Sequence, residues 1–275
     1  MKSILVPTDF SKNALNAVKY ALAFAEKTKS KVILFHSYYN PSSEVYIPFT
    51  NIHYGKQDFR ENAETAMKKL IASLLKFFPE ANPEWIVKPG IASVNIIEIV
   101  KERTISMLIM GTTGQGAISR AIVGSTTSSV INEVPCTMIA VPPKAKFKSI
   151  AKIAVATNLE KDNLSVVKEI LTFAKEFNAE ISFIYVNNSE KFDIDQVLQE
   201  MVDKIKKQLK YKNVSFYVCR DSNIANGLDL FIKNNKPDIL SMVTNGLNFS
   251  APVWQTSWTN TMSNHITIPL LVLHI

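Results

Sequence analysis

Ile105-Ser106-Met107-Leu108-Ile109-Met110-Gly111-Thr112-Thr113-Gly114-Gln115-Gly116-Ala117-Ile118-Ser119-Arg120-Ala121-Ile122-Val123-Gly124-Ser125-Thr126-Thr127 is the stretch on which the reading of this chain turns. Its opening apolar run has the length of a buried strand. Four of the chain's eight glycines, Gly111, Gly114, Gly116 and Gly124, follow within fourteen positions. A helix is expected to begin where they stop, near Ser125. Glycines after a strand and again before a helix let backbone N–H groups approach an anion closely, and phosphate is the obvious anion. The segment makes an α/β chain a nucleotide-binding candidate.

Outward from this stretch, strands and helices alternate. The chain opens on a strand, Ile4 to Pro7, and Leu15, Val18, Leu22 and Ala25 then draw one helical stripe. A second strand, Lys31-Val32-Ile33-Leu34-Phe35-His36, precedes a helix over 57–78 with Met67, Leu70, Ile71, Leu74 and Leu75 on one face. A third strand is expected over 84–88, a third helix over 93–103, a fourth strand over 106–110 and a fifth over 136–141. Apolar strands alternating with helices predict a parallel sheet covered on both faces, with right-handed crossovers.

The pattern then recurs. Ile153-Ala154-Val155-Ala156-Thr157-Asn158 matches Ile4-Leu5-Val6-Pro7-Thr8-Asp9 at an offset of 149 residues, without a gap through Ile181-Ser182-Phe183-Ile184-Tyr185-Val186. Near the end, 269–275 matches 135–141 at an offset of 134, the first copy holding extra residues around 38–56. The boundary is the polar, proline-led stretch 142–148. Two domains are expected, 1–141 and 150–275.

Composition narrows the class. Hydrophobic residues make up 47% of the chain, as in a soluble globular protein, and no apolar run approaches the roughly 18 residues of a membrane span. The first residues do not resemble a signal peptide, because Asp9 follows a short apolar run. Cys136 and Cys219, both in apolar strand-like runs, read as buried reduced thiols and suit a cytoplasmic location. The formal charge is +7, but the lysines are spread over helix faces such as 204–210, with no arginine cluster among aromatics. That argues against nucleic acid as the partner.

In a parallel sheet, ligands bind beyond the strand C-termini, where the strand order reverses. Asp9 ends the first strand, and Gly111 and Gly114 follow the fourth. If those strands are neighbours, carboxylate and glycine loop face one crevice, and Gly124-Ser125-Thr126 adds a helix N-terminus. Each part also has a structural reading. The glycines can make a turn, Ser125 can be an N-cap, and Asp9 or Ser11 can cap the first helix. There is no Gly-x-x-x-x-Gly-Lys-Ser/Thr, hence no P-loop lysine, and no Gly-x-Gly-x-x-Gly after the first strand. His36, His53, His265 and His274 lack metal-ligand spacing. Arg120 reads equally as a contact to phosphate or a partner chain and as a solvated side chain. Trp254 and Trp258, four apart, read as packing within the second copy rather than as an exposed aromatic patch for a ligand.

These residues resemble the universal stress protein family. Its nucleotide-binding members carry Gly, two residues, Gly, nine residues, Gly, then Ser or Thr, here Gly111, Gly114, Gly124 and Ser125. The opening 4–11 and Phe35-His36-Ser37 are also similar to the family. The resemblance covers the whole chain as two tandem copies. It implies two doubly wound α/β domains, each with a five-stranded parallel sheet in the order 3-2-1-4-5 flanked by helices. It further implies ATP with magnesium or manganese, with Asp9, Ser37 and Met110 near the nucleoside and Gly111, Gly114, Gly124, Ser125 and Thr126 around the phosphates. The second copy departs from the motif. Asn158, Asn245, Asn248, Trp258 and Thr259 stand where the first has Asp9, Gly111, Gly114, Gly124 and Ser125. It reads as a nucleotide-free partner.

The function expected is a regulatory ATP-binding stress protein that changes its surface for a protein partner. A slow ATPase or phosphotransferase and a scaffold with a structural nucleotide are the alternatives. No catalytic residue and no protein metal ligand is assigned. Family members pair through their fifth strands, so tandem copies are expected to form an intramolecular pseudo-dimer, leaving other surfaces to join two chains. Bare apolar edges at 136–141 and 270–275 would be costly.

Overall fold

Strands buried on both faces need helices on both sides, and the first half supplies them in regular alternation. In the computed structural model, the described residues are 2–39, 56–112, 124–157, 164–187, 210–244 and 267–274, with 199, 203 and 207 between them. The first half runs β1 (Ser3–Pro7), α1 (Lys12–Thr28), β2 (Lys31–Tyr38), α2 (Lys56–Leu75), β3 (Glu84–Pro89), α3 (Ala92–Glu102), β4 (Met107–Gly111), α4 (Ser125–Glu133) and β5 (Thr137–Val141). The second contains β6 (Lys152–Ala156), α5 (Leu164–Phe177), β7 (Glu180–Asn187), β8 (Val214–Arg220), α6 (Ile224–Asn235), β9 (Ile239–Thr244) and β10 (Leu270–His274).

The strands form one sheet in the order β3-β2-β1-β4-β5-β10-β9-β6-β7-β8. Each half therefore has the expected 3-2-1-4-5 order, all parallel within itself. The two join where β5 meets β10 antiparallel, Leu270 opposite Ala140 and Val272 opposite Met138. All of these side chains are fully buried. Burial of each of the larger three, Leu270, Val272 and Met138, contributes roughly 1.5–3 kcal/mol. The edges expected to be costly if bare thus cover one another.

Side-chain alternation sends Ile4, Val6, Val32 and Leu34 to one face of the sheet, and Leu5, Ile33, Phe35 and Leu108 to the other. The first face carries α1, whose alanines Ala14, Ala17, Ala21 and Ala25 let the helix lie close to the strands. Ser11 is its N-cap, accepting from the Ala14 N–H at 3.1 Å, so the rivalry with Asp9 resolves in favour of Ser11. The stretch 142–148 is more than a polar boundary. Asn16 of α1 donates to Pro142 O at 3.1 Å and Ala145 O at 2.8 Å. Phe147 packs edge-on against Tyr20 and Phe24, and Phe24 also meets Phe173 and Phe177 of α5. A helix of each half and the connection between them share one aromatic cluster.

Candidate functional site at the switch point of the first half

The strand order reverses between β1 and β4, which pair in parallel with Ile4 opposite Met107 and Leu5 opposite Leu108. Crossovers leave the sheet in opposite directions there, so the carboxyl ends of the two strands open a crevice. The turn after β1 forms one wall. Thr8 N–H donates to Phe35 O at 2.8 Å, Phe10 N–H to Thr8 Oγ1 at 3.0 Å, and Ser11 N–H to Asp9 Oδ1 at 3.0 Å. Asp9 thus sits half-buried in a turn of its own making, directly ahead of α1. Phe10 has φ +62°, a left-handed conformation that a bulky side chain adopts only when its surroundings impose it. His36 is part of that surrounding. Its ring lies 4.4 Å from the Phe10 ring, and its Nδ1 is 2.8 Å from Thr8 O. A carbonyl only accepts, so Nδ1 carries the proton. His36 is structural, as its strand context suggested.

The opposite wall is the end of β4 and the start of α4. Gly124 N–H donates to Thr112 O at 2.7 Å, Thr112 N–H to Val141 O at 3.1 Å, and Thr127 Oγ1 to Gly111 O at 3.0 Å. Gly124 is the N-cap of α4 and, having no side chain, supplies no cap bond; the first turn holds no acidic residue. A helix start so built is suited to an anion. Ser125 is exposed, and Gly124 and Thr126 are half-buried. Gly114 and Arg120 lie outside the described residues, as do His53, His265, Trp254 and the second-copy positions Asn158, Asn245, Asn248, Trp258 and Thr259.

Two expected site residues have their side chains committed elsewhere. Met110 is a core side chain, 5% exposed, on the face carrying α3 and α4. Ser37, near the end of β2, donates its hydroxyl to Gly90 O at 2.6 Å and accepts from Asn95 Nδ2 at 3.0 Å. Gly111 has a packing reason of its own. A Cβ there would lie 2.8 Å from Asn13 Nδ2 and 3.3 Å from Asn13 O, so any side chain at the strand end would push against the first turn of α1. Sequence reasoning missed Asn13, Thr127 and Asn95. Thr127, two residues past the motif serine, was the one within reach of a local signal.

Cysteine chemistry has no foothold here. Burial pushes the Cys136 thiol up to about 12. Burial, then the Asp221 carboxylate, also raise Cys219, which is half-buried rather than enclosed. Among the described residues no group of three or more His, Cys, Asp or Glu side chains is placed to hold a metal. No helix among them is long and apolar enough to cross a membrane.

A doubly wound half with a glycine-capped helix at its switch point defines a class of α/β fold, and its family follows from similarity to known proteins. Residues 1–142 match the universal stress protein family model, and the chain belongs to that family. Universal stress protein MJ0531 of Methanocaldococcus jannaschii is 25% identical over 146 residues, 53% of this chain and 84% of that one. Universal stress protein Sll1654 of Synechocystis is 25% identical over 144 residues, 51% of this chain and 85% of that one. A universal stress protein from Archaeoglobus fulgidus has the same fold over 99% of this chain and 98% of its own, with TM-score 0.74 and 15% identity.

Proposed function

We propose that the chain is an ATP-binding regulatory protein with one adenine nucleotide in the first half, 1–141, and a nucleotide-free partner domain at 150–275. The observation that carries this reading is the convergence of the Asp9 turn and the uncapped, acid-free start of α4 at one switch point. In this reading the α4 amides at Ser125 and Thr126, with Gly111, Gly114 and Gly124, receive the phosphates. Asp9 meets the nucleoside. Ser37 and Met110 contribute through their backbone, since their side chains are otherwise engaged. A magnesium or manganese ion would arrive on the phosphates and supply charge neutralisation. Nucleotide occupancy would alter the surface seen by a protein partner.

Hydrolysis is slow or absent in this reading. The glycine loop and the helix start bind ground-state phosphate and offer nothing that strengthens only in the transition state. With no P-loop lysine, turnover is expected at least two orders of magnitude below the roughly 1–100 s⁻¹ of kinases. The test is Gly124→Trp, which copies the second half's residue at this position. Calorimetry should show ATP binding in the parent and none in a variant that remains folded. A folded variant binding within about threefold of the parent, roughly 0.65 kcal/mol, contradicts the phosphate assignment. Phosphate release near 1 s⁻¹ that disappears in Asp9→Ala would make the protein an enzyme.

A further inference from the structure

The two halves can be matched position by position. β1 and β2 pair Ile4 with Val32 and Pro7 with Phe35, and β6 and β7 pair Ile153 with Ile181 and Ala156 with Ile184. Ser37 therefore corresponds to Val186. Helices α3 and α6 match cap to cap, Ile91 with Asn223. Their buried positions coincide, Asn95, Ile96, Ile99 and Val100 against Gly227, Leu228, Phe231 and Ile232. Asn95 therefore corresponds to Gly227.

These positions face each other in both halves, with opposite chemistry. In the first, buried Asn95 stands between helix and strand, its amide donating to Ser37 Oγ and to Pro89 O, both at 3.0 Å. Ser37 passes the link on to Gly90 O, and Gly90, at φ +116°, donates its N–H to Tyr38 O at 3.0 Å. The turn before α3 is thus laced to the last two residues of β2. In the second half nothing polar intervenes. A Cβ on Gly227 would lie 2.8 Å from Val186 Cγ1 and 3.0 Å from Cγ2, so the helix backbone rests on the valine methyls.

We propose that Ser37 and Asn95 hold the start of α3 off the sheet and keep the β2 end of the first-half crevice open to a base, and that Val186 against Gly227 closes the same place in the second half. The inference rests on the nucleotide reading above. In the order β3-β2-β1-β4, a nucleotide with its phosphates at α4 and its nucleoside at Asp9 extends its base toward β2. Exposed Tyr39, Ile91 and Val94 lie along that end and give an aromatic base an apolar rim. Either pair satisfies itself, whereas a mixed pair fails. Asparagine facing valine loses a buried acceptor, and glycine facing serine leaves a gap. Asn95 is a positioning residue here, acting through Ser37 and the Gly90 turn.

The experiment transplants the second half's pair into the first, as Ser37→Val with Asn95→Gly in the full chain, with ATP and inorganic tripolyphosphate as probes. The double variant should stay folded and lose about tenfold or more in ATP affinity. Its tripolyphosphate affinity should be unchanged, because the phosphate end lies at α4. If the double variant does not fold, Ser37→Ala should weaken ATP and leave tripolyphosphate unaffected. A folded variant that binds ATP as the parent does, or that loses both probes equally, overturns the inference and leaves the nucleotide reading standing. A parent that binds neither probe overturns both.

Discussion

Gly111 answers two demands at once. In the proposed reading the motif asks for a backbone without side chain near a phosphate, and the packing asks for one against Asn13. Gly111→Ala should cost about 1–2 kcal/mol in denaturant unfolding. The cost falls toward the low end of overpacking, because the first atom met is a side-chain terminus. Unchanged stability would mean that Asn13 moves aside freely. Ser241, in β9, is the reverse case. It is fully buried, and its hydroxyl has no hydrogen-bond partner among the described residues. An unsatisfied buried hydroxyl costs about 1–3 kcal/mol, so Ser241→Ala should raise stability by about 1 kcal/mol. A lower unfolding midpoint would contradict this. Neither feature was legible in the sequence. Gly111 announces a special backbone position, but Asn13 is 98 residues away, and a serine in an apolar run does not declare whether its hydroxyl is met.

At the scale of elements, α1 does more than cover the sheet. Its first turn lies against the end of β4 through Asn13 and Gly111, and one turn further on Asn16 holds the connection between the halves. Asn16→Ala removes both bonds, and each hydrogen bond is worth about 0.5–1.5 kcal/mol. The variant should lose about 1–2 kcal/mol and show faster amide hydrogen exchange over 142–151 than the parent. Exchange unchanged in that stretch would show that Phe147 and the aromatic cluster suffice to hold it. First-half strand positions were legible to within one or two residues, because apolar runs between glycine and polar breaks mark them; β2 runs two residues past His36. β4 is one residue later than read, and β3 one longer. The anchoring of 142–148 was not legible. Proline, lysine and alanine look the same in a free linker as in one pinned by a distant asparagine.

At the scale of the molecule, one sheet runs through both halves, with hydrophobic clusters on each face that draw residues from both. The repeat in the sequence makes that architecture readable, because two copies with matching apolar fifth strands cover both edges by pairing them. The place of much of the candidate site is readable for the same reason. Asp9, Gly111 and Gly124 lie at the switch point that strand order predicts. What the copies do differently is written only in part. The loss of Asp9 and the glycines in the second copy is visible as letters, whereas the exchange of Ser37–Asn95 for Val186–Gly227 emerges only when the strands are registered and the helices set on them. If the proposed reading holds, a molecule built twice but equipped once binds once. Equilibrium titration of the intact chain with ATP and magnesium, read as stoichiometry, tests this most directly. One nucleotide per chain, lost in Gly124→Trp, is the predicted result. Two per chain, or none, would contradict it.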